Sequence, residues 1–542
     1  MPLFLEVWLP LTGSTLGAIL YRSVTDISRI GPILTLLAVE FGVLVIWATY
    51  WMVLYPKYFT PFRHLATPSG RRWLYGNRKE FSPNYTWHGI DTVMESLPNN
   101  GLIRFYEALS REVILVTSVD AIKEMTSIKP YDFGHPKQVK YMMGRVTSSN
   151  FNFLTEHGHK LFRKHLRPAF TLGHTKKLMP AMWDKFQHMV RLMEGELRRD
   201  PETVIDTREY IRRVMWDISG EVMIGYDFKT LGHRDGGMGD RFAKVLAEFS
   251  GPAWVRMVMH YIDVRPLLTL MSPLFMKTGL GKSLNHIRGT LRQVITEQEV
   301  KFQKSDSKEP PGLDITSVSV ATGIFPTGEL VDNGMLFMTA GPNSSGTAME
   351  WAIYELSKRP DIQKRLREEI NRCFESVSVS TEEDSEISAR LQSLPYLSAV
   401  VNEVIRCYPF IPLSARAAEK DTTLLGERIP KDTIFLLPVD VLNHDTELWG
   451  PDGAEFNPDR WLGEQAATGG ATSNYAMLSF GSGPNTCIGQ NMARAMLACF
   501  LAAFVQRFNV KLANAETAAR LRPALFKRSE EGMMAKLEIV EA

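Results

Sequence analysis

The segment Phe480-Gly-Ser-Gly-Pro-Asn-Thr-Cys487-Ile-Gly489 constrains this chain more than any other stretch. It sets a cysteine among glycines, just ahead of an apolar run. A thiolate that holds a metal must be deprotonated, shielded from water and oxidants, and wrapped by backbone tight enough to aim N–H groups at the sulfur. Gly481 and Gly483 permit the unusual φ/ψ values of such a loop, and Gly489 permits close approach of the backbone to a flat ligand. A helix is expected from Ile488 onward, with Met492, Met496 and Cys499 on one face. Cys487 would then sit at a helix N-terminus, where the dipole lowers a thiol pKa, with Phe480 covering the sulfur. The bland alternative is a Gly-rich turn around a buried cysteine. The other cysteines, Cys373, Cys407 and Cys499, form no CxxC pair. Four are too few for a disulfide scaffold in 542 residues, so reduced thiols are expected.

The N-terminal part reads differently. Residues 33–55 (ILTLLAVEFGVLVIWATYWMVLY) contain one charge, Glu40. As a helix at about 1.5 Å per residue they span roughly 34 Å, enough for a hydrocarbon core of about 30 Å. Trp47, Tyr50, Trp51 and Tyr55 gather at one end as an interfacial belt would, and Lys57, Arg63, His64, Arg71 and Arg72 follow. This predicts a single-pass anchor with the rest of the chain on the cytoplasmic side. The competing reading is a buried core helix. Glu40 is the objection to a span, and a neighbouring helix or protonation would meet it. Residues 2–20, within an apolar segment 1–32, are interrupted by Glu6, Pro10 and Gly13 and lack the positive start of a signal peptide. They read either as a second span or as an interfacial segment. Residues 56–72, with three prolines, read as a stiff linker, leaving 73–542 as one large domain.

That domain reads as mainly α with a small β part. Ala352 and Leu356 share a helix face that ends before Pro360, and Ile362, Leu366 and Ile370 repeat at helical spacing. Residues 397–406 form another helix, while 411–440 carry turns and a β-leaning TIFLLPV run. Lys+Arg (62) and Asp+Glu (60) nearly cancel, leaving +2 and no basic stripe, so no nucleic-acid partner is expected.

Three further motifs stand in order along the chain. Glu403 and Arg406 lie three apart in NEVIRCYP and share a helix face. Phe456-Asn-Pro-Asp-Arg460-Trp461 follows, and then the Cys487 loop. Earlier, residues 330–350 read LVDNGMLFMTAGPNSSGTAME. Together these resemble the cytochrome P-450 family, whose haem signature is Phe-x-x-Gly-x-Arg-x-Cys-x-Gly. The match holds at Phe480, Gly483, Cys487 and Gly489 and departs at Asn485, where the family has Arg or His. The resemblance runs from about residue 65 to the C-terminus. The anchor resembles that of eukaryotic microsomal members, and the texture resembles fungal natural-product monooxygenases.

The resemblance implies a cytochrome P-450 fold with an N-terminal transmembrane helix, and haem b whose iron is bound axially by Cys487. A thiolate ligand pushes electron density to iron and favours O–O cleavage. Glu403, Arg406 and Arg460 would form an ionic triad, costly to bury unless all are satisfied together. Arg416, and His159 with Arg163 in GHKLFRKHLRPAF, would hold the haem carboxylates, supplying the two or three cations that these want even with Asn485 in the signature. The competing reading of the latter pair is a basic, solvated helix face.

Ala340 and Gly341 match the family's oxygen-activating helix, but Asn343 replaces its acid, and Ser344 and Ser345 replace its threonines. Pro342 should kink this helix, and Ser344 keeps a hydroxyl for proton delivery. Here the competing reading is a Ser-capped break between two helices. Implied partners are an NADPH-dependent reductase, O2, a small apolar substrate of secondary metabolism, and the endoplasmic-reticulum bilayer. The substrate would draw on 130–150, 240–275, 340–345, 411–415 and 526–533. Met142, Met143, Met257 and Met259 there are more often plain core. Asn343 also motivates a haem-thiolate isomerase, dehydratase or peroxide-using enzyme. Asn343 and Asn485 together motivate a non-catalytic haem-binding membrane protein.

Overall fold

The computed structural model describes residues 30–72, 76–77, 89–107, 110–137, 139–140, 156–232, 279–305, 309–375, 384–521 and 526–540. The apolar stretch 2–20 and the methionines Met142, Met143, Met257 and Met259 lie outside them.

Helix α1 (Ile30–Thr49) continues in wider π-type turns over Tyr50–Phe59. Ala38–Phe59 is long and apolar enough to cross a membrane, and no residue of its most apolar 18-residue window is buried in protein. Phe41, Val45, Ile46 and Val53 point outward, as an apolar sheath does. The helix therefore outruns the expected end at Tyr55 and passes through Pro56.

Residues 56–72 are not a free spacer. They are docked on a hairpin of β1 (Leu102–Tyr106) and β2 (Glu112–Val116). Thr60 Oγ1 donates to Glu112 Oε2 at 2.7 Å, Arg71 stacks 3.9 Å from the Tyr106 ring centre, and Phe62 is buried. Local pattern showed the prolines but not these partners, which lie 35 and 52 residues on.

β2 pairs in parallel with β8 (Ile434–Leu437), with Ile114 opposite Phe435. β8 pairs antiparallel with β5 (Ser414–Ala418), and β5 with β3 (Phe133–Gly134), giving the order β1-β2-β8-β5-β3. Two small sheets complete the β part. One joins β6 (Thr422–Leu424) to β7 (Glu427–Ile429). The other orders β4 (Val204–Asp206), β10 (Met534–Ile539) and β9 (Phe508–Leu512).

Helices make up most of the rest, several of them begun by local chemistry. These are α2 (Glu156–Leu166), α3 (Leu172–Arg199), α4 (Thr207–Ser219), α5 (Gly279–Lys304), α6 (Ile315–Ala321), α7 (Thr327–Lys358), α8 (Pro360–Glu375), α9 (Asp384–Gln392), α10 (Pro395–Cys407) and α11 (Gln490–Arg507). Thr171, Asp206 and Asp314 cap α3, α4 and α6 by accepting the N–H of the residue three further on. Pro360 and Pro395 open α8 and α10, where a missing N–H costs nothing. α7 and α11 cross the main core with α3, α4 and α10. Phe186, Phe500, Phe504, Phe508 and Met338 are fully buried there.

An ion pair closes the far end of this bundle. Arg507, the last residue of α11, donates from Nε to Glu194 Oε2 at 2.9 Å, and Arg198 also reaches Glu194. Arg507 and Arg198 draw the Glu194 carboxyl down from its ordinary 4.5 to about 2. A depressed folded pKa stabilises fully above pH 4.5 and loses that contribution as pH falls towards 2. Glu194→Gln should therefore lower the melting temperature at pH 6 and match the unsubstituted protein near pH 2. An equal difference at both pH values would contradict the pairing.

Candidate functional site

The Cys487 loop is built from two left-handed glycines. Gly481 and Gly483 both have φ +68°. Gly483 sits so close to the segment at Thr126 that a Cβ would lie 1.9 Å from the Thr126 carbonyl oxygen. The loop is pinned there by Ser482 Oγ to Thr126 Oγ1 (2.8 Å) and by Asn485 Nδ2 to the Pro130 carbonyl (3.2 Å). Asn485 thus ties the loop to its neighbour. Cys487 N–H donates to the Phe480 carbonyl at 2.7 Å, closing the turn.

Helix α11 begins at Gln490 with Gly489 as its N-cap, two residues later than expected. Cys487 precedes the helix and receives the Gly489 N–H. Its thiol pKa is raised, where a helix end alone should lower it. Burial outweighs the Gly489 N–H, Arg163 and Arg494, which all pull it down. Yet the residue is solvent-accessible. A side chain both accessible and desolvated faces a walled cleft, not the open surface. A Cβ on Gly489 would meet only the Cys487 sulfur, at 4.0 Å, so this side of the backbone is open to a flat partner.

Arg163 and Arg494 act on the sulfur, and Arg416 is a third buried arginine of the site. Arg163 Nη1 donates to the Thr486 carbonyl at 3.0 Å, so α2 touches the cysteine loop directly. Arg416 meets His135 Nδ1 at 3.3 Å and the Ala415 carbonyl. Arg494 donates to Asn402 Oδ1 at 3.2 Å and lies 4.7 Å from the Phe480 ring centre. Burial lowers the pKa of all three arginines. Among the described residues none of the three pairs with an acid. Uncompensated desolvated cations are costly, so this set is suited to an anionic partner. His159 is buried against the Tyr131 hydroxyl (3.3 Å), and burial, then Arg163, lowers its pKa. Its contact with the Tyr131 hydroxyl makes it a hydrogen-bonding group there. His135 is pushed down to about 3 by burial and by Arg416. An accessible thiol, an open backbone face and several unpaired cations fit a flat, dianionic group held through sulfur.

Glu403 binds both arginines of its motif. Arg406 grips it with two bonds of 2.7 and 2.8 Å, and Arg460 Nε reaches it at 3.3 Å. Trp461 Nε1 and the Asn457 N–H also donate to it, at 2.9 and 2.8 Å. The remaining Arg406 protons go to the carbonyls of Asn443, Gly453 and Glu455. Glu403 and Arg406 side chains are 0% exposed, so this charge network is buried and satisfied.

α7 runs without interruption through Pro342, so AGPNSSG does not break it. Burial of Met338, Pro342, Ser345 and Met349 holds it on that side. Leu336, Ala340 and Ser344, spaced one turn apart, are among the residues of its middle that keep some exposure, Ala340 the most. Ser344 Oγ donates back to the Ala340 carbonyl at 2.8 Å. Gly341 faces elsewhere: a Cβ there would lie 2.6 Å from Met223 Cε, so the glycine lets α7 approach the turn after α4. Ser345, a turn further along that face, is buried, so the structure separates it from Ser344. Asn343 is engaged by Arg528, whose Nη2 donates to its Oδ1 at 2.9 Å while Nε donates to Thr347 at 3.0 Å. Arg528, Arg494 and His135 carried no signal in the sequence, because each meets its partner across more than ninety residues.

The family model described as Cytochrome P450 matches residues 67–533. Cytochrome P450 monooxygenase FSL4 of Gibberella zeae is 37% identical, over 94% of this chain and 93% of its own. Cytochrome P450 monooxygenase sphH of Aspergillus fumigatus is 34% identical, over 95% of this chain and 94% of its own. Cytochrome P450 monooxygenase FUM15 of Gibberella moniliformis is 29% identical, over 85% of both.

Proposed function

Because the chain belongs to the cytochrome P450 family, we propose that this haem-thiolate monooxygenase takes electrons from an NADPH-dependent reductase and oxygenates a small apolar molecule of secondary metabolism. The relatives are monooxygenases, which sets aside the isomerase and the non-catalytic alternatives. When bound, haem supplies activation of O2 and transfer of one oxygen atom to the substrate.

Cys487 provides the iron ligand. Phe480, Gly483, Asn485 and Gly489 shape and hold its loop. Arg416 and Arg163 would hold the haem carboxylates, with His159 as a further hydrogen-bonding partner. The observation that carries this reading is the accessible but desolvated Cys487 with Arg163 and Arg494 bearing on it, neither paired with an acid among the described residues. Ser344, which keeps some exposure in the middle of α7, relays protons through its hydroxyl. Asn343 holds α7 to the Arg528 segment, and Ser345 serves packing. Glu403, Arg406 and Arg460 fix the floor of the site. Residues 73–542 act as one catalytic domain, with α1 anchoring it to the endoplasmic-reticulum membrane and the enzyme on the cytoplasmic side.

Arg416→Gln should lower haem affinity about tenfold or more, since a charged hydrogen bond contributes about 1.5–3 kcal/mol. Haem retained per polypeptide after gel filtration measures this, and full retention would contradict the assigned role. The reaction itself is tested in vesicles with a purified NADPH-dependent reductase and isotopically labelled O2. Incorporation of one labelled oxygen, dependent on NADPH and reductase, is expected. Turnover without reductase would overturn the electron route.

A further inference from the structure

Two arginines bear on Cys487 from different elements. Arg163 reaches it from α2 through the Thr486 carbonyl. Arg494 reaches it from α11 itself, the helix capped by Gly489. Its guanidinium carbon stands 4.7 Å from the Phe480 ring centre, and the carbonyl of that same residue accepts the Cys487 N–H at 2.7 Å. Phe480 thus touches both groups, the cation through its ring and the cysteine through its carbonyl. On its other side Arg494 Nε is held by Asn402 Oδ1 at 3.2 Å, from α10. Among the described residues it pairs with no acid. Its surroundings are a ring and an amide, and Cys487 is the one group that favours its charge.

An arginine keeps its proton under such conditions. A fixed positive charge in a poorly solvated place acts strongly at short range. It stabilises negative charge on the sulfur and reduces what the sulfur donates. Adding an electron to the centre bound by that sulfur then becomes easier.

We propose that Arg494 is a positioning residue that, through Phe480, raises the reduction potential of the haem iron held by Cys487. The proposal rests on Cys487 being the ligand. The competing role is purely mechanical: a tie between α11 and α10 through Asn402.

Three variants of the full-length, haem-loaded protein separate these roles by potentiometric titration. Arg494→Gln removes the charge and can keep a hydrogen bond to Asn402. Arg494→Lys keeps the charge. Asn402→Ala cuts the tie and keeps the charge. In Arg494→Gln the ferrous-to-ferric ratio at a fixed potential should fall about tenfold, which is about 59 mV for one electron. The carbon monoxide stretch of its ferrous complex should move to lower frequency, with the red-shifted thiolate Soret band retained. Arg494→Lys should recover most of the shift, and Asn402→Ala should show little. An unchanged potential in Arg494→Gln would overturn the proposal, as would equal shifts in Arg494→Gln and Asn402→Ala. If Arg494→Gln holds no haem, a tenfold fall in Arg494→Lys overturns it, and a potential kept in both Arg494→Lys and Asn402→Ala supports it. An unshifted Soret band in the unsubstituted protein would be a separate failure, that of Cys487 as ligand.

Discussion

Glu403→Ala should leave a protein that holds almost no haem and is less stable by about 3–5 kcal/mol, the usual cost of removing one partner from a buried charge pair. The size follows from the count of groups stranded. Arg406 loses both of its bonds to carboxylate, Arg460 loses one, and the Trp461 and Asn457 N–H groups lose their acceptor. Side chains of Glu403 and Arg406 are 0% exposed, so water cannot take the vacated place without opening the core. The loss is a large share of the 5–15 kcal/mol that holds a typical domain together. It spreads to the site because Asn443, which accepts from Arg406, also donates to Ser479 Oγ, one residue before Phe480. Calorimetry and haem content of the purified variant give the two readouts. A normal transition with full haem loading would show that the triad contributes little.

Gly483→Ala should be nearly as severe, and much worse than the same change at Gly481. Both glycines have φ +68°, where a Cβ costs roughly 1–2 kcal/mol. At Gly481 that is all, since the nearest atom to a new Cβ is the Asn485 oxygen at 4.0 Å. At Gly483 the Cβ would also lie 1.9 Å from the Thr126 oxygen and 2.7 Å from its carbonyl carbon, both backbone. Backbone cannot swing aside, so the loop must lift off and break the Ser482 and Asn485 ties. Overpacking adds about 1–3 kcal/mol. Haem content and melting temperature of the two variants, measured side by side, check the ranking. Equal effects would mean that the Thr126 contact does not exist in solution.

Much of this site was legible in the sequence because its parts are local. Gly481, Gly483 and Cys487 lie in one short loop, and Glu403 and Arg406 lie one turn apart. The rest depends on what meets what. The raised thiol pKa comes from burial that no spacing reveals, and the late start of α11 depends on Gly489 taking the cap. Gly341 reads as a pocket residue, but Met223, more than a hundred residues earlier, sets its role. Asn343 reads as a lost acid. Its pairing with Arg528 shows a side chain already committed to packing, which periodicity around residue 343 cannot disclose. Residues 56–72 read as a linker because their partners belong to the β1–β2 hairpin. The helical class, by contrast, was plain from apolar spacing and proline breaks, which act within a few residues.

The most direct measurement is the carbon monoxide difference spectrum of the reduced, detergent-solubilised protein beside its Cys487→Ala variant. A strongly red-shifted Soret band in the first, absent from the second, is expected if Cys487 binds the iron as thiolate. An unshifted band in the unsubstituted protein, or a red-shifted one that survives Cys487→Ala, would contradict that assignment and everything built upon the cysteine loop.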